Sequence, residues 1–276
     1  MAQAIARKVL VVGGSGFLGT SVCKMAANKG WETVSLSRKG EPEIFKQTGK
    51  PNWAEKVQWA KGDSLEPETY KDVLKGVTNV VHTVGILMEN DYKSIAESKS
   101  LCEAASGLSR MILGMKDNGN PLDPNLKDRP TYEKMNRDTA TTMANEVSKL
   151  PSMDSFVYIS ASDLFPFIDP RYITTKREAE RYLFTRDGFK TLVLRPGFMY
   201  NLQRPTAMPI AGALQFMNAV TSPCKSSIAS LPGGKIITTS PLQTDDVARA
   251  IIAGIEYNET GIYDVEGIKE LSLKPL

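Results

Sequence analysis

Apolar residues come along this chain in short runs, separated by longer stretches in which apolar and polar positions mix at helical spacing. The run Val9 to Val12 predicts a buried strand, and residues 17–29 predict a helix that ends near Gly30. Glu32 to Leu36, Val57 to Ala60 and Asn79 to Val84 read as the next strands, with a helix from about Glu66 to Leu74 before the last of them. Residues 117–130, DNGNPLDPNLKDRP, are too rich in Pro, Asn and Asp for a regular element. A helix from about Tyr132 to Lys149, a strand from Ser155 to Ser160, a helix from Tyr172 to Thr185 and a strand from Thr191 to Leu194 follow. Residues 242–257 predict a late helix, and Gly261 to Val265 a last strand. This alternation predicts an α/β fold: a doubly wound parallel sheet with helices on both faces.

Residues 198–240 break the alternation with many Pro, Ser and Met residues. They predict a small cap lobe over the strand ends, where ligands bind in such sheets. The expected organisation is a nucleotide-binding core over 1–197, the cap over 198–240, and a return to the core over 241–276. There is no internal repeat.

Composition narrows the function classes. Lys plus Arg total 34 against 31 for Asp plus Glu, a net charge of +3, which does not point to direct nucleic-acid binding. No aromatic–basic interleaving suggests RNA either. Cys23, Cys102 and Cys224 are few, scattered and odd in number, so they read as reduced thiols. His82 is the only histidine, which excludes a zinc site built on several histidines, and no metal site is expected. No run of apolar residues is long enough to predict a transmembrane helix. The leader MAQAIARK has no secretory signal pattern and is short for a mitochondrial presequence before the first strand begins.

The first strand ends at Gly13, and Gly16 and Gly19 follow at spacings of three. Such a turn brings a strand sharply into a helix whose N-terminal amides can cradle a pyrophosphate. Ser15, Phe17 and Leu18 lie within it. At the end of strand two, where NAD-binding sites commonly place an acid for the ribose, this chain has Ser37, Arg38 and Lys39. Nothing there repels a 2′-phosphate and a guanidinium can bind one, so NADP(H) is favoured over NAD(H). Tyr172 and Lys176, four residues apart at the start of a predicted helix, share one face. The ammonium is expected to lower the phenol's pKa, fitting Tyr172 to pass a proton to or from a substrate hydroxyl.

With these motifs in chain order, the sequence resembles the short-chain dehydrogenase/reductase superfamily, in its extended and atypical branches with a Rossmann core, over roughly residues 7–266. Gly13, Gly16 and Gly19 match the branch's glycine turn. Asp63, with Ser64 beside it, matches the acid after strand three that faces the adenine. His82-Thr83-Val84-Gly85 stands where the family has a segment beside the cofactor, so Thr83 and Gly85 become cofactor-binding candidates. Asn136 matches the helix Asn, Tyr172 and Lys176 the acid/base pair, with Lys176 also on the ribose. Arg195-Pro196-Gly197 matches a segment near the nicotinamide. Asp245-Asp246-Val247-Ala248 matches the opening of a late helix. The substrate-orienting hydroxyl falls on Ser160, with Ser162 in reserve; an alignment that puts Ala161 there instead removes it. His82 reads as a strand-end residue near the cofactor rather than a general base.

The stretches VVHTVGILMENDYK, YEKMN, YITTKREAE and LRPGFMY are similar to fungal mitochondrial members of the atypical branch associated with ubiquinone (coenzyme Q) biosynthesis. More distantly, the chain resembles the 39-kDa-type accessory subunits of respiratory complex I. The resemblance implies a mitochondrial protein on the matrix side, in a multiprotein complex and in contact with a membrane-bound lipid pathway. Two functions remain open: an NAD(P)-dependent oxidoreductase, or a cofactor-stabilised structural subunit or assembly factor without turnover. The apolar stretch Thr206 to Val220 is expected to form lobe core; its sharper alternative is a peripheral surface for a lipid or isoprenoid tail.

Overall fold

A computed structural model describes residues 7–87, 130–162, 168–201 and 238–276. Strands β1 (Lys8–Val12), β2 (Glu32–Ser37), β3 (Val57–Lys61), β4 (Asn79–His82), β5 (Ser155–Ile159), β6 (Lys190–Leu194) and β9 (Gly261–Tyr263) form a seven-stranded sheet in the order β3-β2-β1-β4-β5-β6-β9. Every pairing in it is parallel. The chain winds outward from β1 in one direction, then crosses back and winds outward from β4 in the other. This is the doubly wound Rossmann order, and the reversal between β1 and β4 opens a crevice at the carboxyl ends of the strands.

Helices cover both faces because the side chains of the central strand β1 are apolar and buried on both. Val9 and Val11 point to one face, where they pack with Val22, Ala26 and Ala27 of α1 (Gly19–Asn28) and with the apolar side of α6 (Thr244–Glu256). Leu10 and Val12 point to the other, against α4 (Thr139–Val147) and α5 (Pro170–Phe184). The α1–α6 contact is pinned by the Ser21 hydroxyl, which donates to the Asp245 carboxylate at 2.7 Å. Two short helices, α2 (Ile44–Thr48) and α3 (Asn52–Glu55), shield the β3 edge with Phe45, Trp53 and Trp59 in edge-to-face contact.

Several boundaries differ from the sequence expectation, each for a physical reason. β4 stops at His82 rather than Val84 because its partner β1 turns away at Gly13; Thr83 makes the last backbone bond, to Val12. The helix expected over 66–74 is a pair of 3₁₀ turns, Pro67–Thr69 and Lys71–Leu74, separated by Tyr70, whose non-helical φ of −138° breaks the helix as its ring enters the core. The helix expected over 132–149 begins as a π-helix, Glu133–Asp138, before α4 continues it. The last strand ends at Tyr263, and Val265 instead opens α7 (Val265–Ser272). Its cap is Asp264, whose carboxylate accepts from the Gly267 amide at 3.0 Å, and Val265, Ile268 and Leu271 are its buried face.

β7 (Met199–Tyr200) and β8 (Leu242–Gln243) form a separate parallel pair. Residues 202–237, and with them the Thr206 to Val220 stretch, lie outside the described residues, as do Cys102, Cys224 and the 117–129 part of the expected loop. Among the described residues no helix is long and apolar enough to cross a membrane.

The turn after β1 tolerates added volume very unevenly. A Cβ on Gly19 would lie 2.2 Å from the Gly13 carbonyl oxygen, whereas one on Gly16 would meet that oxygen at 3.0 Å and nothing else nearby. Gly19→Ala should therefore lose about 3 kcal/mol of stability by overpacking backbone against backbone. Gly16→Ala should cost less than about 1 kcal/mol. Urea unfolding of the two variants beside the wild type measures both; equal losses would refute the close-approach account.

Candidate functional site

Backbone approach shapes the β1–α1 turn. Gly13 has φ of 86°, in the region that suits glycine, and its amide donates to the Leu36 carbonyl at 2.8 Å. Its own carbonyl accepts from the Gly16 amide at 2.8 Å, directly under Gly19. Gly14 is as constrained: a Cβ there would lie 2.3 Å from the Ser35 hydroxyl and 2.9 Å from the Cys23 sulfur. The spacing-of-three pattern passes over Gly14; the Gly13–Gly14 doublet was its available signal. Gly16 is exposed, Phe17 half-buried and Leu18 buried in the core. α1 then starts with no acid in its first turn, leaving its N-terminal amides and dipole suited to an anion.

Neighbouring strand ends close around this turn. The Ser15 hydroxyl donates to Ser37 at 2.8 Å, and Ser37 donates to the Gly40 carbonyl at 2.9 Å, so the turn is stitched to the end of β2. Arg38, next in the chain, is exposed. Thr83 donates its hydroxyl to the Val12 carbonyl at 2.8 Å and stands where a Cβ on Gly13 would approach to 2.7 Å. Beyond β3, the Asp63 carboxylate accepts from the Leu65 amide at 2.9 Å, beside the buried Ser64. The glycines and strand ends thus leave backbone, not side chains, facing the crevice, which fits a dinucleotide pyrophosphate at α1.

The second half of the crevice is built on β4, the π-helix and α5. Asn136 is fully buried on the π-helix, where one extra residue per turn aims it inward. Its side-chain oxygen accepts from the Ile86 amide at 2.8 Å and its amide donates to the Ile86 carbonyl at 3.1 Å. Gly85 lies against it: a Cβ there would sit 2.8 Å from the Lys176 nitrogen and 3.0 Å from the Asn136 oxygen. Lys176 is buried, donates to the Ile159 carbonyl at 2.8 Å and stands 4.9 Å above the Tyr158 ring. Burial pushes its pKa down to about 7, with Glu180 opposing the fall and Arg177 adding to it.

Tyr172 packs edge-to-face on Tyr132, ring centroids 6.0 Å apart. The expectation that Lys176 depresses the Tyr172 phenol is corrected here. Burial and the neighbouring Tyr132 push the phenol up to about 12, and the cation that opposes them is Arg177. The physical reason is that the Lys176 ammonium is turned to the end of β5 and itself loses charge on burial.

Ser160 and Arg195, the first residue of the Arg195-Pro196-Gly197 segment, meet at a residue that sequence reasoning missed. Glu180, on α5 one turn beyond Lys176, is buried at the ends of β5 and β6. It accepts from the Ser160 hydroxyl, from Arg177, and from Arg195 through both Nε and Nη2. Arg177 also donates to the Ser160 oxygen at 3.0 Å and to the Ala161 carbonyl at 2.8 Å. Ser162, the reserve hydroxyl, donates to the Arg195 carbonyl at 2.7 Å, and its amide donates to the Pro196 carbonyl at 2.9 Å. Gly197 follows, half-buried, on the way into β7. Burial alone would raise the Glu180 carboxyl, but the hydrogen bonds from Arg195 and Ser160 and the paired guanidiniums hold it below the usual glutamate range. The missed signal was a Glu at i+4 from Lys176, on the same helix face.

His82 lies fully buried at the end of β4, its ring stacked on Phe156 and tilted against Tyr158, with no hydrogen-bond partner for either nitrogen among the described residues. Burial and the neighbouring Lys176 push its pKa down to about 3, so it is neutral at physiological pH.

Glu180 generates a stability prediction with a definite sign. Its folded pKa is depressed, so its contribution is present above the unfolded value of about 4.3 and fades as pH falls through the lower folded value. Glu180→Gln, which leaves both guanidiniums without a carboxylate, should cost about 3 kcal/mol at pH 7. The gap to the wild type should shrink as the pH is lowered below about 4. Urea unfolding at stepped pH measures it, and a pH-independent gap would remove the carboxylate from the account.

Known proteins share this architecture. The model of the NAD dependent epimerase/dehydratase family matches residues 9–112. The chain is 35% identical over 217 residues to MIOREX complex component 2 of Saccharomyces cerevisiae, spanning 73% of this chain and 76% of the yeast protein. It is 27% identical over 283 residues to a chloroplastic protein of Arabidopsis thaliana, spanning 99% of this chain and 80% of that one. Among solved structures it is similar to MoeE5 in complex with UDP-glucuronic acid and NAD, with a TM-score of 0.57 at 17% identity over 94% of this chain and 76% of that one. Glycine turn, strand order and relatives agree: the chain belongs to the NAD dependent epimerase/dehydratase family, the extended branch of the short-chain dehydrogenase/reductases.

Proposed function

We propose that this protein binds NADP(H) in the crevice between β1 and β4 and works as an oxidoreductase-type component of an organellar multiprotein complex. The observation that carries the binding is the β1–α1 turn, where Gly19 is sealed onto the Gly13 carbonyl and α1 opens without an acid. Gly13, Ser15, Gly16, Phe17, Leu18 and Gly19 would hold the pyrophosphate side. Ser37 and Arg38 would face the adenosine ribose and its 2′-phosphate, Asp63 and Ser64 the adenine, and Thr83, Gly85, Lys176, Pro196 and Gly197 the nicotinamide half. The bound dinucleotide supplies hydride chemistry. The chain's own part is to hold the substrate oxygen and move its proton: Tyr172 gives or takes that proton, and Ser160 and Asn136 keep the surrounding backbone in register. The cap over 198–240 would select the substrate.

The resemblance to fungal mitochondrial proteins supports a mitochondrial place on the matrix side, with ubiquinone biosynthesis as the pathway. The yeast relative, named as a complex component, supports a multiprotein assembly, and the chloroplastic relative supports an organelle. A peripheral lipid contact through residues 206–220 belongs to the same reading. A second reading, a dinucleotide-stabilised subunit without turnover, is favoured by the Ser160 hydroxyl, which is committed to Glu180, and by the raised Tyr172 phenol.

Native mass spectrometry of the purified protein should show a mass increment of one dinucleotide, with the extra phosphate of NADP. Arg38→Ala should weaken NADPH about tenfold in calorimetry while NADH changes little, a loss of about 1.4 kcal/mol. Equal weakening of both would assign Arg38 elsewhere. Gly16→Asp places a carboxylate at the pyrophosphate and should abolish binding without unfolding the chain. If Tyr172→Phe then complements a deletion strain as well as the wild type does, while Gly16→Asp does not, the subunit reading stands and the oxidoreductase reading fails.

A further inference from the structure

We propose that Tyr132 is a positioning residue for Tyr172: its ring, tied to the strand that leaves β4, is the wall that holds the Tyr172 phenol in place at the crevice. The proposal rests on Tyr172 as the proton-handling group of the proposed site.

Tyr132 immediately precedes the π-helix and is buried. Its hydroxyl donates to the Leu87 carbonyl at 2.9 Å. Asn136, four residues on, pairs with Ile86. Two side chains at the start of this helix therefore hold consecutive residues of the chain beyond β4, and Tyr132 is the one that also touches α5. Its ring meets the Tyr172 ring edge-to-face, centroids 6.0 Å apart and planes inclined by 61°. The Arg171 guanidinium stands over the same ring, its Cζ 5.6 Å from the centroid.

Arg171 is itself fixed. Its Nη2 donates to the two Glu133 carboxylate oxygens at 2.9 Å and 2.7 Å, and its Nε to one of them at 3.1 Å. Its backbone amide donates to the Asp169 cap at 2.9 Å. Residues 132 and 133 thus grip residues 171 and 172, with one ring contact and one forked ion pair. A fork of this kind sets direction as well as distance.

The position of Tyr172 explains the need for such a grip. It is the third residue of α5. Helical side chains lean back over the preceding turn of their own helix, and Tyr172 has no such turn to lean on. A phenol passes a proton only within about 2.6–3.2 Å of its partner, and a misplacement of about 1 Å can cost about 100-fold in rate. Tyr132 supplies the packing that α5 itself cannot.

The test replaces Tyr172 by 3,5-difluorotyrosine in the full chain through amber suppression and measures the flip rate of its ring from the exchange of the two fluorine NMR signals, with the phenol protonated. Tyr132→Leu should speed the flip about tenfold, the scale set by one aromatic pair. Tyr132→Phe keeps the ring and should lie nearer to the wild type than to Tyr132→Leu. Arg171→Gln, an exposed change that leaves the backbone cap in place, should speed the flip about threefold and carries the test if Tyr132→Leu fails to fold. The proposal is overturned by a flip rate unmoved in Tyr132→Leu or, where that variant does not fold, in Arg171→Gln, and equally by Tyr132→Phe flipping as fast as Tyr132→Leu. NADPH binding is measured on the same samples by calorimetry. Its absence in the wild type would sink the proposed function, while the flip rates would still decide whether Tyr132 holds Tyr172.

Discussion

The parallel register around β1 is the constraint from which the site follows. Val12 stands opposite Leu36 on one side and His82 on the other; His82 stands opposite Tyr158, and Tyr158 opposite Val193. Because all these strands run the same way, the residues that follow them leave the sheet along one edge. Gly13, Arg38, Thr83, Ser160 and Arg195 are all such residues, although they are scattered over more than half of the chain. A slip of one residue in any pairing would turn that strand's side chains to the opposite face. β1 is apolar on both faces, with Val9 and Val11 in one core and Leu10 and Val12 in the other, so its register is held by the turn at Gly13 and its backbone bond to Leu36 rather than by an apolar–polar alternation.

On this edge the buried ion cluster of Glu180, Arg177 and Arg195 is better understood as a positioning device than as a source of stability. Two unit charges about 4 Å apart attract by about 4 kcal/mol at an effective dielectric of about 20. Taking each ion out of water costs several kcal/mol, so the net worth of such a cluster against a well-packed apolar one is small. What it supplies is geometry. A single carboxylate ties the Ser160 hydroxyl, the helix that carries Tyr172 and the segment after β6. It also explains why the hydroxyl that sequence comparison marks as substrate-facing is bonded to the protein itself.

The strands and the glycine turn were legible in the sequence because their causes are local. Apolar runs of Val, Ile and Leu bounded by Gly or polar residues announce strands, and Gly13, Gly16 and Gly19 announce the turn. Lys176 was legible as a position but not as a charge state, since the burial that lowers its pKa comes from β4 and β5. The π-helix left no trace in the sequence, because an inserted residue is fixed by tertiary contacts such as those of Asn136 and not by propensity. α7 was hidden by Gly267 in its first turn, a residue that weakens a helix by propensity yet here donates its amide to the cap at Asp264. Glu180 has no signal of its own in the charged stretch of α5, because its partner Arg195 comes from the segment after β6.

Asn136 shows how these levels join. Where β1 turns away at Gly13, the strand continuing from β4 loses its neighbour, and the backbone at Ile86 would be left with an unpaired donor and acceptor. The Asn136 side chain supplies one acceptor and one donor to that same residue, as a paired strand would. The space it needs exists because Gly85 has no side chain, and the same space admits the Lys176 nitrogen. The backbone carbonyl of Asn136 is in turn held by the Tyr158 hydroxyl at 2.5 Å, and the Tyr158 ring lies beneath Lys176. The π-helix, β4, β5 and α5 are therefore locked together through one amide side chain. Its primary task is to end the sheet cleanly at the crevice, and any part in proton transfer depends on that task being met first.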